Sequence, residues 1–321
     1  MNTLEVLQAG PMLTVQDLGR AGFLHLGVSG AGPMDRPSML FANRLVGNED
    51  GDATLEFAHV GGSFTVEQPV RFAVTGGAVE ITIDGERRHS WESHHLRPGQ
   101  VLKIGALRQA VWGYLALSGG IRTPPVLNAR STHVRSGIGG LDGRRLAAGD
   151  RLPLGVTEAG ALLALRRPLS RPTGPVRVVP GPQTDHFGDQ AWKAFLDGPF
   201  RVTASRDRMA QVLDGPQILA FAGHDIVSDG TVAGSIQIPS SGRPIVLMAE
   251  RQTTGGYPKI ATVASVDLPR LAQCPTASLV RFHSVSQDEA EDLLIAQSQQ
   301  WAEALASLEV KPENSPSGSS I

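Results

Sequence analysis

The chain has 321 residues with 29 Lys and Arg against 31 Asp and Glu, a formal charge of −2. Phosphate-backbone and anionic-lipid affinity come from clustered cations, so this near-balance excludes nucleic acid or a membrane surface as the main partner. Hydrophobic residues at 41% and charged residues at 19% describe an ordered chain with a sizeable core.

Glycine (37) and proline (22) break helices and punctuate short strands, so the composition leans toward β structure. At roughly 150 residues per domain the length predicts two domains. The single cysteine, Cys274, cannot form an intrachain disulfide, and nothing calls for an oxidising compartment. The opening Met1-Asn2-Thr3-Leu4-Glu5-Val6 lacks the basic-then-apolar pattern of a signal peptide, and no apolar run nears the roughly eighteen residues of a membrane span. A cytoplasmic location is the expectation.

From Leu4 to Leu154, short alternating runs separated by Gly, Pro and Asp turns predict strands at 62–67, 70–75, 79–83, 100–104 and 110–117. The run ending at Ile83 closes on Asp84-Gly85, a hairpin signal. One helix interrupts them over 35–46, with Asp35 as N-cap and Gly47 as C-cap. The Arg166–Pro175 stretch reads as a linker, after which strands are predicted at 176–180, 200–203, 235–239 and 245–249. Helical spacing returns over 190–196 and 287–308, and the Pro/Ser/Gly-rich end predicts a disordered tail over 309–321. The expected organisation is therefore an N-terminal domain over 1–165, a second over 166–286, a C-terminal helix and a tail.

Generic motifs are absent. There is no G-x-x-x-x-G-K-[ST] loop and no G-x-G-x-x-G, so nucleotide chemistry would need another kind of pocket or a partner chain. The nine histidines form no H-E-x-x-H, no C-x-x-C exists, and a metal site is not expected. His94 and His95 are adjacent, so in a strand they point to opposite faces. No G-x-S-x-G elbow is present, and Cys274 before Pro275 reads as a small core residue.

Four polar, glycine-dense loops remain, and such loops carry function because a scaffold fixes them while their backbone stays accessible. The first joins Thr14–Arg20 to Gly27–Arg36, where glycine N–H groups and a helix N-terminus suit an anion, while Asp35 reads equally as an ordinary cap. The second, Asn128–Arg144, gathers Arg130, Ser131, Thr132, His133 and Arg135, groups able to hold a carboxylate or phosphate; the bland alternative is a solvated loop. In the third, Pro180-Gly181-Pro182-Gln183-Thr184-Asp185-His186-Phe187, Asp185 either presents a base or starts the helix containing Trp192. The fourth runs strand, turn, strand and a Thr253-Thr254-Gly255-Gly256 corner, bringing Gln237, Tyr257 and Lys259 toward one another. Lys259 is a compact cation suited to an oxyanion, or else a surface lysine; Tyr257 is a ligand contact or a core aromatic.

Five stretches together, Thr14–Arg20, Gly32–Asp35, Ala42–Asn48, Pro180–Phe187 and Gln252–Ile260, resemble the biotin-dependent carboxyltransferase-like family. That family embraces 5-oxoprolinase C subunits, KipA-like proteins and their allophanate hydrolase counterparts, and the carboxyltransferase domain of urea amidolyase. The resemblance runs in order from about Leu4 to Ser284. It implies a mainly β fold of two tandem cyclophilin-like barrels with a few helices and a groove between them. It also implies two partners, a KipI-like protein and a LamB/YcsF-like protein, as the B and A components of a complex in which ATP drives the opening of 5-oxoproline to glutamate. Two alternatives follow from it: carboxyl transfer to urea or a similar amide with biotin on a separate carrier, there being no Met-Lys-Met motif, or a non-enzymatic KipA-like module binding a KipI-like kinase inhibitor.

On this assignment Lys259, Arg20 and Arg130 bind the anionic group and Asp35 or Asp17 acts on a proton. Gln237, Ser131, Thr132, Thr253, Thr254 and Tyr257 orient the substrate, beside His133, Gly255 and Gly256. One departure is visible: where the family pattern suggests Ser-Glu-Gly, the chain reads Ser228-Asp229-Gly230, a shorter carboxylate.

Overall fold

The computed structural model describes residues 2–166, 169 and 171–311. It is mainly β, with four α-helices among the described residues: α1 (Arg36–Val46), α2 (Asp189–Asp197), α3 (Leu268–Gln273) and α4 (Gln287–Ala306). The chain divides into two compact units, one of residues 1–20, 31–169 and 301–321, the other of 21–30 and 170–300. The break near 169 lies four residues beyond the one expected, and each unit also takes in a segment distant in sequence. Residues 21–30, for example, group with the second unit, where the Ser29 hydroxyl donates to the Ala249 carbonyl (3.3 Å).

In the first unit a six-stranded antiparallel sheet runs in spatial order Arg151–Pro153, Thr3–Ala9, Val60–Val66, Leu102–Arg108, Ala78–Ile83, Glu86–Arg88. A five-stranded sheet runs Thr14–Gln16, Thr54–Ala58, Trp112–Leu117, Val70–Thr75, Ser93–Leu96. Their apolar faces share one core, in which Leu4, Val15, Leu55, Phe57, Phe64, Phe72, Ile104 and Leu115 are buried. Alternation sets which face packs inward, as Ser93–Leu96 shows: His94 is buried and His95 exposed, on opposite faces as expected. The Asp84-Gly85 turn joins Ile83 to its partner Glu86, with both central residues at positive φ (52° and 88°), as a two-residue hairpin of right-handed twist requires. Helix α1 begins and ends where its caps predict: the Asp35 carboxylate accepts from the Ser38 N–H, and Gly47 takes φ 79°.

The second unit is built on an eight-stranded sheet in the order Leu279–Val280, Phe200–Arg206, Ala210–Asp214, Ile245–Leu247, Ser235–Gln237, Lys259–Val263, Val176–Pro180, Phe282–Ser284. It is antiparallel except for the last pair and curls toward closure as a barrel. Phe195, Phe200 and Phe282 form an aromatic cluster, with the Phe195 and Phe282 rings stacked 4.6 Å apart and Phe200 tilted against both. A separate two-stranded ladder pairs Asp229–Gly230 with Thr254–Gly255.

Two expectations are corrected. Asp185 does not start α2: it lies in a short 3₁₀ turn, Thr184–His186, and α2 begins at Asp189 after Gly188. The tail expected from 309 is ordered at its start, because Glu309–Val310 pairs with Leu163–Ala164 and the Lys311 ammonium reaches Glu92 (2.9 Å). Residues 312–321 of that expected tail lie outside the described residues, as do 167, 168 and 170 of the expected linker.

Candidate functional site

In the second unit, a one-residue irregularity in the ladder determines what the central strands present. Ser235 pairs with Thr262 and Ile236 with Ala261, but Gln237 then pairs with Lys259, a β-bulge at Ile260. In regular register Lys259 and Gln237 would face opposite ways; the extra residue sets them directly across from each other on one face. Composition and spacing carried no signal for this bulge.

Lys259 is 2% exposed. Its ammonium donates to the Asp229 carboxylate (2.6 Å) and to the Gly230 carbonyl (3.1 Å), two of the three bonds an ammonium can make. The Lys259 N–H donates to the Gln183 side-chain carbonyl (3.1 Å), and the Gln183 amide N–H donates on to Asp229 (3.2 Å). Pro180-Gly181-Pro182 brings Gln183 there: the Gly181 N–H donates to the Ile260 carbonyl (2.8 Å), and any Cβ on Gly181 would lie 2.2 Å from the Lys259 carbonyl oxygen. Asp229 itself is 49% exposed. The Lys259 hydrogen bond, helped by Gln183 and the Gly230 N–H, holds its carboxyl below the usual range.

Gln237 is buried, and its carbonyl accepts from the Gln252 amide (3.2 Å). Its own amide nitrogen has no hydrogen-bond partner among the described residues. A buried amide without a partner is costly, so a ligand acceptor there would be favoured. The space it needs is kept by Gly255, whose Cβ, if present, would lie 2.4 Å from that nitrogen. Thr253 and Thr254 act through their backbone, the Thr253 carbonyl accepting from Thr231 N–H (3.0 Å) and Thr254 pairing with Gly230. Gly256 accepts from Ile226 (2.8 Å), and Tyr257 stands 41% exposed, so neither is core packing.

The expected residues of the first unit form a second cluster with a different character. Asp17 accepts from the N–H groups of Gly19 (2.9 Å), Arg130 and Ser131 (3.2 Å) and from the Ser131 hydroxyl (2.6 Å). Three of these donors converge on Oδ1, and among the described residues the Arg130 N–H takes Oδ2, so both carboxylate oxygens are engaged. The buried Arg20 guanidinium donates to the Val126 carbonyl (3.1 Å) and to the Ser131 carbonyl. The Thr132 hydroxyl donates to Val15 (3.0 Å), and His133 Nδ1 caps a 3₁₀ turn by accepting from Ser136 N–H (3.1 Å). Gly139 and Gly140 fold over these groups so closely that a Cβ on Gly140 would lie 2.0 Å from the Thr132 hydroxyl. Arg130 alone keeps a half-buried side chain whose Nε lacks a partner among the described residues.

Asp35 is fully buried; its carboxylate holds the Ser38 hydroxyl (2.7 Å), and its N–H donates to the Tyr114 hydroxyl (2.7 Å). Tyr114 in turn donates to Glu56 (2.7 Å), which also accepts from Met34 N–H (2.8 Å). Burial first, then the adjacent Glu56 and Asp35 charges, push the Tyr114 hydroxyl well above its usual pKa. Structural occupations thus engage both carboxylates expected to handle a proton.

Four residues of these networks carry no role that the sequence alone assigns. Gln183 and Gln252 lie within family-like stretches, Asp229 marks only a departure from the family pattern, and Glu56 carries no local signal; the first three converge only through tertiary pairing. Among the described residues no group of three or more His, Cys, Asp or Glu is placed to hold a metal ion. No helix among them is long and apolar enough to cross a membrane.

Residues 26–284 match the family described as carboxyltransferase domain, subdomain A and B. The chain belongs to this carboxyltransferase domain family. It is similar to the 5-oxoprolinase C subunit of Escherichia coli strain K12, 36% identical over 289 residues that cover 89% of this chain and 93% of the relative. The same-named protein of Haemophilus influenzae is 33% identical, covering 90% and 94%. Among solved structures, TTHA0988 matches with a TM-score of 0.80 at 36% identity over 88% of this chain, which spans 56% of that longer one. Urea amidolyase of K. lactis matches with a TM-score of 0.84 at 26% identity over 94% of this chain and 20% of that one. The tandem-barrel, mainly β carboxyltransferase-domain fold is therefore the architecture of this chain.

Proposed function

We propose that the chain is the C component of an ATP-dependent 5-oxoprolinase in the cytoplasm, opening 5-oxoproline to L-glutamate together with a LamB/YcsF-like A component and a KipI-like B component. The observation that carries this reading is the nearly end-to-end match to two 5-oxoprolinase C subunits, above nine-tenths of each relative's length. Within it Lys259 binds an anionic oxygen and Gln237 donates to a carbonyl, both held rigidly by the bulged ladder and by Gln183, Gln252 and Gly255. Within the first unit, Arg130 is a candidate for an anion contact of its own. Asp17 and Asp35 hold the loops that carry Arg130, Ser131 and α1.

Hydrolysing a five-membered lactam adds water across an amide bond, and ATP hydrolysis supplies the driving force for the uphill part. The Lys259 site does not fit a triphosphate: among the described residues it offers a single cation, with one remaining ammonium N–H, and the two N–H of the neutral Gln237 amide, enough for a carboxylate and an amide but not for a multiply charged chain. ATP is accordingly assigned to the partner proteins, and no step on this chain is routed through it.

Carboxyl transfer to a urea-like amide, with biotin on a separate carrier, is the second reading, supported by the likeness to urea amidolyase. Co-expression with candidate A and B components and measurement of ATP-dependent glutamate release from 5-oxoproline separates them. Release that needs all three chains supports the oxoprolinase; a stable complex with no release overturns it.

A further inference from the structure

The second unit contains an arrangement that the reaction alone does not require. Residues 226–231 lie across 253–256 as a strap, tied by Ile226 N–H to the Gly256 carbonyl (2.8 Å), by Thr231 N–H to the Thr253 carbonyl (3.0 Å) and by Arg251 Nε to the Thr231 carbonyl (3.3 Å). Between these ties the strap delivers one carboxylate, that of Asp229, onto the buried Lys259 ammonium. The two ends of this ion pair differ: Lys259 is 2% exposed and Asp229 is 49% exposed. A half-exposed carboxylate regains water at little cost when it leaves, whereas a buried ammonium needs an anion to stay charged. Across the ladder the partnerless Gln237 amide nitrogen waits on the same face.

We propose that Asp229 is a resident stand-in for the substrate's carboxylate: it occupies the anion position on Lys259 in the free chain and is displaced when a small carboxylate bearing an adjacent amide binds, its carboxylate on Lys259 and its amide carbonyl on Gln237. This deepens, and rests on, the proposed function, since 5-oxoproline carries both groups within one ring. It also sets the substrate class. A neutral amide such as urea has nothing with which to displace Asp229, whereas a lactam carboxylate has both handles. The middle of the strap fits such movement, since Val227 is exposed and Gly230 has open space where a Cβ would be, while the buried Thr231, whose hydroxyl donates to the Gln252 carbonyl, anchors its end.

The test uses the full chain and three probes: 5-oxoproline, 2-pyrrolidinone as the same lactam without the carboxylate, and acetate as the carboxylate without the lactam. Binding is followed by NMR of the lysine side chains. A competitor present most of the time weakens apparent binding by the fraction of time the site is open. Asp229→Asn, which keeps a neutral oxygen beside Lys259, is therefore expected to tighten 5-oxoproline and acetate about fivefold or more and to leave 2-pyrrolidinone unchanged. Lys259→Met is expected to abolish the carboxylate-dependent difference. Carboxylate binding that is unchanged or weakened in Asp229→Asn overturns the proposal and makes Asp229 a holder of Lys259 instead. Turnover by the assembled complex keeps the two readings apart. Normal turnover with an unimproved Asp229→Asn refutes the stand-in alone. No turnover by wild-type complex, with tightened acetate binding in the variant, refutes the oxoprolinase alone.

Discussion

Asp17→Ala separates a structural carboxylate from a catalytic one. In the folded chain Asp17 accepts four hydrogen bonds, three of them from the backbone N–H groups of Gly19, Arg130 and Ser131. Removing it strands those donors in a region where Ser131 is fully buried, and an unsatisfied buried donor costs about 1–3 kcal/mol. The Ser131 hydroxyl can turn toward the Asp17 carbonyl, which it already approaches at 3.3 Å, so it adds little. Some rehydration is expected because Asp17 is not wholly sealed, which leaves a loss of roughly 3–4 kcal/mol. For a unit of this size that is a fall of about 10 °C in melting temperature. Differential scanning calorimetry of the purified chain reads it, with urea unfolding as the independent measure. A variant that melts within about 1 kcal/mol of wild type, yet loses turnover in the assembled complex, would refute the structural argument and return Asp17 to the chemistry.

Gly255→Ala places a methyl 2.4 Å from the Gln237 amide nitrogen, so in the assembled complex KM is expected to rise about tenfold or more while melting shifts little; an unchanged KM would place the substrate amide elsewhere. Lys259→Met removes the buried cation and is expected to lower complex kcat/KM by about 10²–10³, and retention of full activity would remove the central residue of the site. His94 is buried, and desolvation lowers its pKa to about 4 despite the raising contribution of the His89 carbonyl. The unfolded chain therefore binds a proton that the folded chain does not between about pH 6.5 and 4. Stability falls as pH falls through that window, by up to about 1.4 kcal/mol per unit, and His94→Phe should flatten the slope in pH-dependent urea melts. Asp267 is held below its usual range because hydrogen bonds from Arg177 and Arg270 outweigh the effect of burial; its contribution is present at neutral pH and lost as pH falls below about 4, a loss that Asp267→Asn should abolish in acid titrations.

What the sequence determined by itself is local. Alternation placed the strands around Val60–Val66, Val70–Thr75 and Ala78–Ile83, Asp84-Gly85 closed a hairpin, and Asp35 and Gly47 bounded α1, because each signal lies within a few residues of its effect. The glycine-dense loops were visible for the same reason. Only the tertiary structure decided which polar groups meet. Asp17 and Ser131 are 114 residues apart, Gln183 and Lys259 76, and Asp229 and Lys259 30; sheet order brings each pair together. The bulge at Ile260 turns Lys259 to the face of Gln237 by one residue of register, a change that leaves no mark on hydrophobic periodicity yet exchanges one face of the strand for the other. Asp35 shows both levels at once: its capping role was legible from its neighbours, but its complete burial beneath Tyr114 and Glu56 came from strands that follow it in the chain.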